Sequence, residues 1–130
     1  MIVVDANVLA AYATGGSPEV AALLAQDAVW VVPPIWVSEL RNILVKAIRA
    51  RQLSVEGAMV ALERAMRRVT PADRTISSRR IIELAAETSS SAYDCEYIAL
   101  AEMLYLKLVT ADRALASKFP EVAVRLDRIT

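Results

Sequence analysis

The sequence predicts an α/β domain in which helices cover both faces of a parallel sheet. Three observations carry this prediction. Short apolar runs alternate along the chain with longer helical patterns, the signature of strands joined by helical crossovers. The runs are continuous rather than interleaved with polar residues, as expected of strands buried on both faces. The third is size: 130 residues, 56% of them hydrophobic with mean hydropathy +0.39, suffice for one well-filled core. With three glycines, five prolines and no repeat or low-complexity stretch, residues 1–130 read as one domain.

Ile2 to Val4 reads as the first strand, running through Asp5 into a helix and so placing Asp5 at the strand's carboxyl end. Gly15-Gly16 breaks that helix, and Ser17 with Pro18 opens another, to about Gln26. Val29 to Val32 is the second strand, ended by Pro33-Pro34. A long amphipathic helix follows to about Ala50, with Trp36, Leu40, Ile43, Leu44 and Ala47 on one face and Glu39 near its start. Ser54 opens a helix to about Arg68. After a turn at Pro71, a further helix holds Ile81, Ile82, Leu84 and Ala85 and stops at Ser89-Ser90-Ser91. These two helices are expected to form an arm. Ser91 to Asp94 starts a helix through about Tyr105, Lys107 to Thr110 is a strand, Asp112 starts a short helix, and Val122 to Leu126 is a last strand. In such sheets ligands bind outside the carboxyl ends of the strands, the edge at which Asp5 and Asp112 both fall.

The longest apolar run, Val29 to Val37, is too short to cross a bilayer and is interrupted by two prolines. Met-Ile-Val-Val-Asp at the start lacks the basic region and long apolar core of a secretory signal, and the single Cys95 forms no internal disulfide. Cytoplasmic residence without membrane association is the expectation.

The net charge of zero conceals a strong polarity: residues 1–40 carry net −4, residues 41–80 net +7 and residues 81–130 net −3. Arginine outnumbers lysine twelve to three, and its planar fork suits phosphate oxygens. A basic segment flanked by acidic ones fits a nucleic-acid enzyme, although arginine-rich helix faces are equally found solvated or paired, as Glu63 and Arg67 would be four residues apart. The chain has no histidine, which excludes Ser-His and Cys-His nucleophiles and imidazole-bound metals. One cysteine excludes cysteine-rich metal sites, and no phosphate-cradling glycine motif is present. Carboxylates remain. Clustered carboxylates require a cation, and hard oxygen ligands favour Mg²⁺ or Mn²⁺, which can activate water against a phosphodiester.

Each acid also has a purely structural reading. Asp5 and Asp112 sit where an N-cap is expected, and Asp94 stands where a capping box carries its acid. Glu39 has Asn42 and Ile43 at i+3 and i+4, hence no basic partner on its own helix, which favours function. Thr110 is either an ordinary strand residue or a hydroxyl that orients an acid, and Asn7 either bonds local backbone or holds Asp5. Glu83, Glu87, Glu96 and Glu102 read as solvated or structural, and Cys95, Trp30 and Trp36 as core.

Ile-Val-Val-Asp-Ala-Asn-Val-Leu at 2–9, Ser38-Glu39, Ser-Ala-Tyr-Asp-Cys-Glu-Tyr-Ile-Ala-Leu-Ala-Glu at 91–102 and Leu-Val-Thr-Ala-Asp at 108–112 together resemble the PIN-domain family, most closely its VapC-type ribonuclease toxins. The resemblance spans nearly the whole chain. It implies a three-layer α/β/α fold with a central parallel sheet of four or five strands. It implies an acidic pocket of Asp5, Glu39, Asp94 and Asp112, with Asp5 and Asp94 as direct Mg²⁺ (or Mn²⁺) ligands and Thr110 beside them. It also implies an RNA substrate, a homodimer, and an antitoxin protein as partner. Asn7 departs from the Ser or Thr that many such sequences carry. Two rivals remain: a catalytically silent module that binds RNA or protein, and a phosphoryl-accepting regulatory domain. The second needs paired acids after the first strand and a lysine at a strand's end, whereas Lys107 begins its strand.

Overall fold

The computed structural model describes residues 1–129. β1 (Ile2–Val4) leads to α1 (Ala6–Ala13) and α2 (Pro18–Gln26), then β2 (Trp30–Val32), α3 (Trp36–Arg49) and α4 (Val55–Arg68). β3 (Val69–Pro71), α5 (Ser78–Thr88), α6 (Ala92–Leu104), β4 (Leu108–Thr110), α7 (Arg113–Lys118) and β5 (Ala123–Arg125) follow, with a closing 3-10 turn at Leu126–Arg128. All strand pairs are parallel, in the order β3-β2-β1-β4-β5. Val3 pairs with both Val31 and Leu108, so β1 is the centre of the sheet.

The order fixes where each helix goes. From β1 the chain steps outward through β2 to β3, then returns to β4 on the other side of β1 and continues to β5. Right-handed crossovers therefore put the early helices on one face and the later ones on the other. Ile2 and Val4 pack with α1 to α4, including Val8, Leu9, Leu23, Leu40 and Ala61, while Val3 packs with Leu84, Tyr97, Ile98, Leu100 and Leu115 of α5 to α7. The period of two along β1 thus divides the molecule into its two cores. α6 is the most enclosed helix, with Cys95 and Tyr97 to Ala101 all buried, because it lies against the central strand.

Three expectations change. No helical arm forms: α4 packs on α1 and α3, and α5 packs on α6. Between them runs β3, a fifth strand where a turn at Pro71 was expected; its residues are half-buried or exposed, so no apolar run announces it. Proline is tolerated because β3 is an edge strand with no outer neighbour to receive its amide. The last strand is also shorter than expected, ending at Arg125 where the 3-10 turn begins. Among the described residues no single helix is long and apolar enough to cross a membrane.

Candidate active site

β1 and β4 diverge in connection at the carboxyl edge of the sheet, the point where the strand order reverses and a crevice opens. Four helices start around that crevice, and each brings one acid. Asp5 is the N-cap of α1, its Oδ1 accepting from the Ala6 amide at 2.8 Å. Glu39 and Asp94 lie in the first turns of α3 and α6. Asp112 is the N-cap of α7, its Oδ1 accepting from the Leu115 amide at 3.1 Å. The positive ends of four helix dipoles thus face the acids, which partly offsets their mutual repulsion.

Asp5, Glu39, Asp94 and Asp112 line one cavity of about 180 Å³, together with Ala6, Asn7, Asn42 and Ile43. Larger clefts exist, one of about 420 Å³ beside Pro34, Arg74, Ile81 and Glu96 and one of about 470 Å³ beside Tyr12, Leu24 and Arg64. The first holds two acids, Asp73 and Glu96, beside the basic Arg74, and the second holds none, whereas the smaller cavity gathers four and no basic side chain, so chemistry and not size distinguishes it. Among the described residues, however, no three acidic or cysteine side chains stand in an arrangement that closes on one metal ion.

Thr110 is wholly buried and ties the acids together. Its hydroxyl donates to Asp5 Oδ2 at 2.8 Å and accepts from the Asp112 amide at 3.0 Å, so one side chain fixes two of the acids. Asn7 bonds neither its own helix start nor Asp5. It reaches Thr110 Oγ1 through Nδ2 at 3.5 Å and accepts from the Ala111 amide at 3.1 Å, clamping α1 to the end of β4. The capping and cluster readings of Asp5 and Asp112 are compatible, because a carboxylate oxygen that accepts one hydrogen bond keeps a lone pair for another partner.

The electrostatics are those of a cluster in which acids outweigh bases, Lys118 being a cation that acts on Asp94. Burial is the main cause that pushes Asp5 up to about 6, against the hydrogen bonds from Thr110 and Ala6, and Asp94 and Asp112 raise it further. Burial and the neighbouring acids also raise Glu39 and Asp94 above the usual carboxylate range.

Asn42, Glu96 and Tyr97 went unrecognised in the sequence as neighbours of this site. Asn42 lies one helical turn beyond Glu39 on the same face, which was a usable signal. Glu96 Oε2 accepts from the Ile35 amide at 3.2 Å and so holds the start of α3, which has no side-chain cap of its own. The basic segment divides. Arg64 lies over the Tyr12 ring, Arg68 over Trp30 with a bond to the Ala28 carbonyl, and Arg80 pairs with Glu102, while Arg74 pairs with the exposed Asp73 beside Pro34 and Arg41 follows Glu39 by two residues on α3. No ion pair joins Glu63 to Arg67 among the described residues. Lys107 donates to the Glu121 carbonyl at the opposite end of the sheet, far from where a phosphoryl-accepting domain would need it.

The family model described as the PIN domain matches residues 2–122. No curated protein matches the chain. Among solved structures, PAE2754 from Pyrobaculum aerophilum is similar at 25% identity and TM-score 0.75, over 97% of this chain and 89% of that one. A toxin-antitoxin complex from Klebsiella pneumoniae is similar at 20% identity and TM-score 0.65, over 97% and 98%. FitAcB from Neisseria gonorrhoeae is similar at 21% identity and TM-score 0.67, over 98% and 99%. With the sheet order, the carboxyl-edge acids and a family match over almost its full length, the chain belongs to the PIN-domain family.

Proposed function

We propose that the protein is an endoribonuclease dependent on Mg²⁺ or Mn²⁺, acting as the toxin of a VapC-type toxin-antitoxin pair. The observation that carries this reading is the meeting of four acids from four helix starts in one cavity that no basic side chain lines. Their donor set fits such an ion: every side-chain ligand is a hard oxygen, and the cavity leaves room for water. When bound, the ion supplies Lewis-acid activation of water against an RNA phosphodiester. Asp5 and Asp94 would hold the ion, with Glu39 and Asp112 beside them in the same cavity. Thr110 keeps Asp5 and Asp112 in register, and Arg41 and Arg74 supply phosphate contacts at the rim.

A homodimer and an antitoxin partner belong to the same proposal. It is supported by the similar toxin-antitoxin complex and by Val55, Met59 and Met66, which are exposed along one stripe of α4. A second reading, a catalytically silent module for RNA or protein, is favoured by the absence of a closed ligand arrangement among the described acids. Cleavage of a labelled single-stranded RNA separates the two. The nuclease reading expects cleavage with Mg²⁺ or Mn²⁺, none with chelator, and none from a folded Asp94→Asn protein. Cleavage by Asp94→Asn equal to the parent's, or no cleavage under any metal condition, would favour the silent module.

A further inference from the structure

Three residues near the start of α6 bear on the site. Asp94 lines the cavity and Glu96 holds the amide of Ile35 at the start of α3, but Tyr97 has so far only a packing role. It is 0% exposed, and its hydroxyl is buried without a hydrogen-bond partner. Glu39 Oε1, in the first turn of α3, is buried and equally without one. The two side chains are neighbours: Tyr97 acts on Glu39 as a hydrogen-bonding group, and Glu39 is the foremost charge acting on Tyr97. They nonetheless stop short of full hydrogen-bond geometry, since neither oxygen is satisfied.

A buried hydroxyl without a partner is costly, and phenylalanine would fill the same space without that cost. The phenol can donate and the carboxylate can only accept, so the pair is complementary. We propose that Tyr97 is a positioning residue for Glu39: its hydroxyl donates to Oε1 and turns the other carboxylate oxygen toward the cavity shared with Asp5 and Asp94. Glu96 sets where α3 begins, and Tyr97 sets how its acid is aimed one turn later. This inference rests on the cation reading above, because the aim of Glu39 matters only if the cavity takes an ion.

The test is a double-mutant cycle read as Mn²⁺ affinity by calorimetry, with thermal unfolding of each metal-free protein as control. Tyr97→Phe is expected to weaken Mn²⁺ binding about tenfold in the parent and by less than about twofold in a Glu39→Gln background, since the hydroxyl acts only through that carboxylate. Unchanged affinity in Tyr97→Phe, or an equal loss in both backgrounds, overturns the positioning role while leaving the cation reading intact. A parent that binds no Mn²⁺ overturns both. Should Tyr97→Phe fail to fold, the unmodified chain decides. Mn²⁺ is then expected to perturb the ultraviolet difference spectrum of a buried tyrosine in the parent and not in Glu39→Gln. A parent spectrum without that change overturns the proposal.

Discussion

The two ends of the sheet are built on opposite electrostatic principles. At the amino end three cations near the strands have partners: the Met1 ammonium pairs with Asp27, Arg68 bonds the Ala28 carbonyl and covers the Trp30 ring, and Lys107 bonds the Glu121 carbonyl. Trp30 itself donates to the Asp27 carbonyl at 2.7 Å and meets Tyr12 edge to face. At the carboxyl end the acids have helix starts and hydroxyls for company but mostly one another as charged neighbours, and burial first, then those neighbours, raises the pKa of Asp5, Glu39 and Asp94. A chain selected only for stability would not keep them. The amino end holds the fold together, and the carboxyl end keeps, at a cost in stability, the acids of the proposed site.

If that division is right, substitutions at the two ends should separate activity from stability. Trp30→Ala should cost about 3–5 kcal/mol of unfolding free energy, because a fully buried ring leaves a cavity, yet leave RNA cleavage per folded molecule unchanged. Asp94→Asn should do the reverse, lowering cleavage at least about a hundredfold, the scale on which loss of one electrostatic contributor acts, without lowering the melting temperature. Chemical denaturation and a cleavage assay on both variants would sharpen the contrast or erase it.

The cost at the carboxyl end has a definite pH dependence. Burial pushes Asp5 up to about 6 from the ordinary aspartate value of 3.8, so folding favours its protonated form. Its penalty is full above pH 6, shrinks as pH falls through 6, and vanishes below about 4. In free energy this is on the order of 2–3 kcal/mol at neutral pH. The stability of the metal-free parent minus that of Asp5→Asn, followed from pH 7.5 to 4.5, should therefore rise as pH falls; a flat or falling difference contradicts the penalty.

Thr110→Val should cost about 1–3 kcal/mol, because Asp5 Oδ2 and the Asp112 amide both lose a buried partner; equilibrium denaturation would measure it. Smallest of all, Arg80→Ala should change stability by less than about 1 kcal/mol despite its two bonds to Glu102, since the pair is partly exposed to solvent.

What was legible in the sequence follows the same divide between local and distant causes. β1, β2 and β4 were readable because strands buried on both faces leave continuous apolar runs. β3 was not, because an edge strand of Val69, Thr70 and Pro71 needs only β2 beside it and leaves no hydrophobic mark. The helix starts at Ser17, Ser54 and Ser91 were legible from capping chemistry, but that Asp5 and Asp112 cap helices while lining one cavity could not be read from either segment alone. Neither could Asn7, whose partners lie more than a hundred residues away. Tyr97 was hidden for a different reason: on a helix buried almost all round, nothing in the pattern separates a core ring from a hydroxyl facing an acid.

Thermal unfolding with and without Mn²⁺ at pH 7.5, compared between the parent and a folded Asp5→Asn variant, tests most directly whether the acid cluster awaits a cation. The account predicts that Mn²⁺ raises the parent's melting temperature by several degrees and leaves the variant's almost unmoved. Equal shifts in both proteins, or none in the parent, would contradict it.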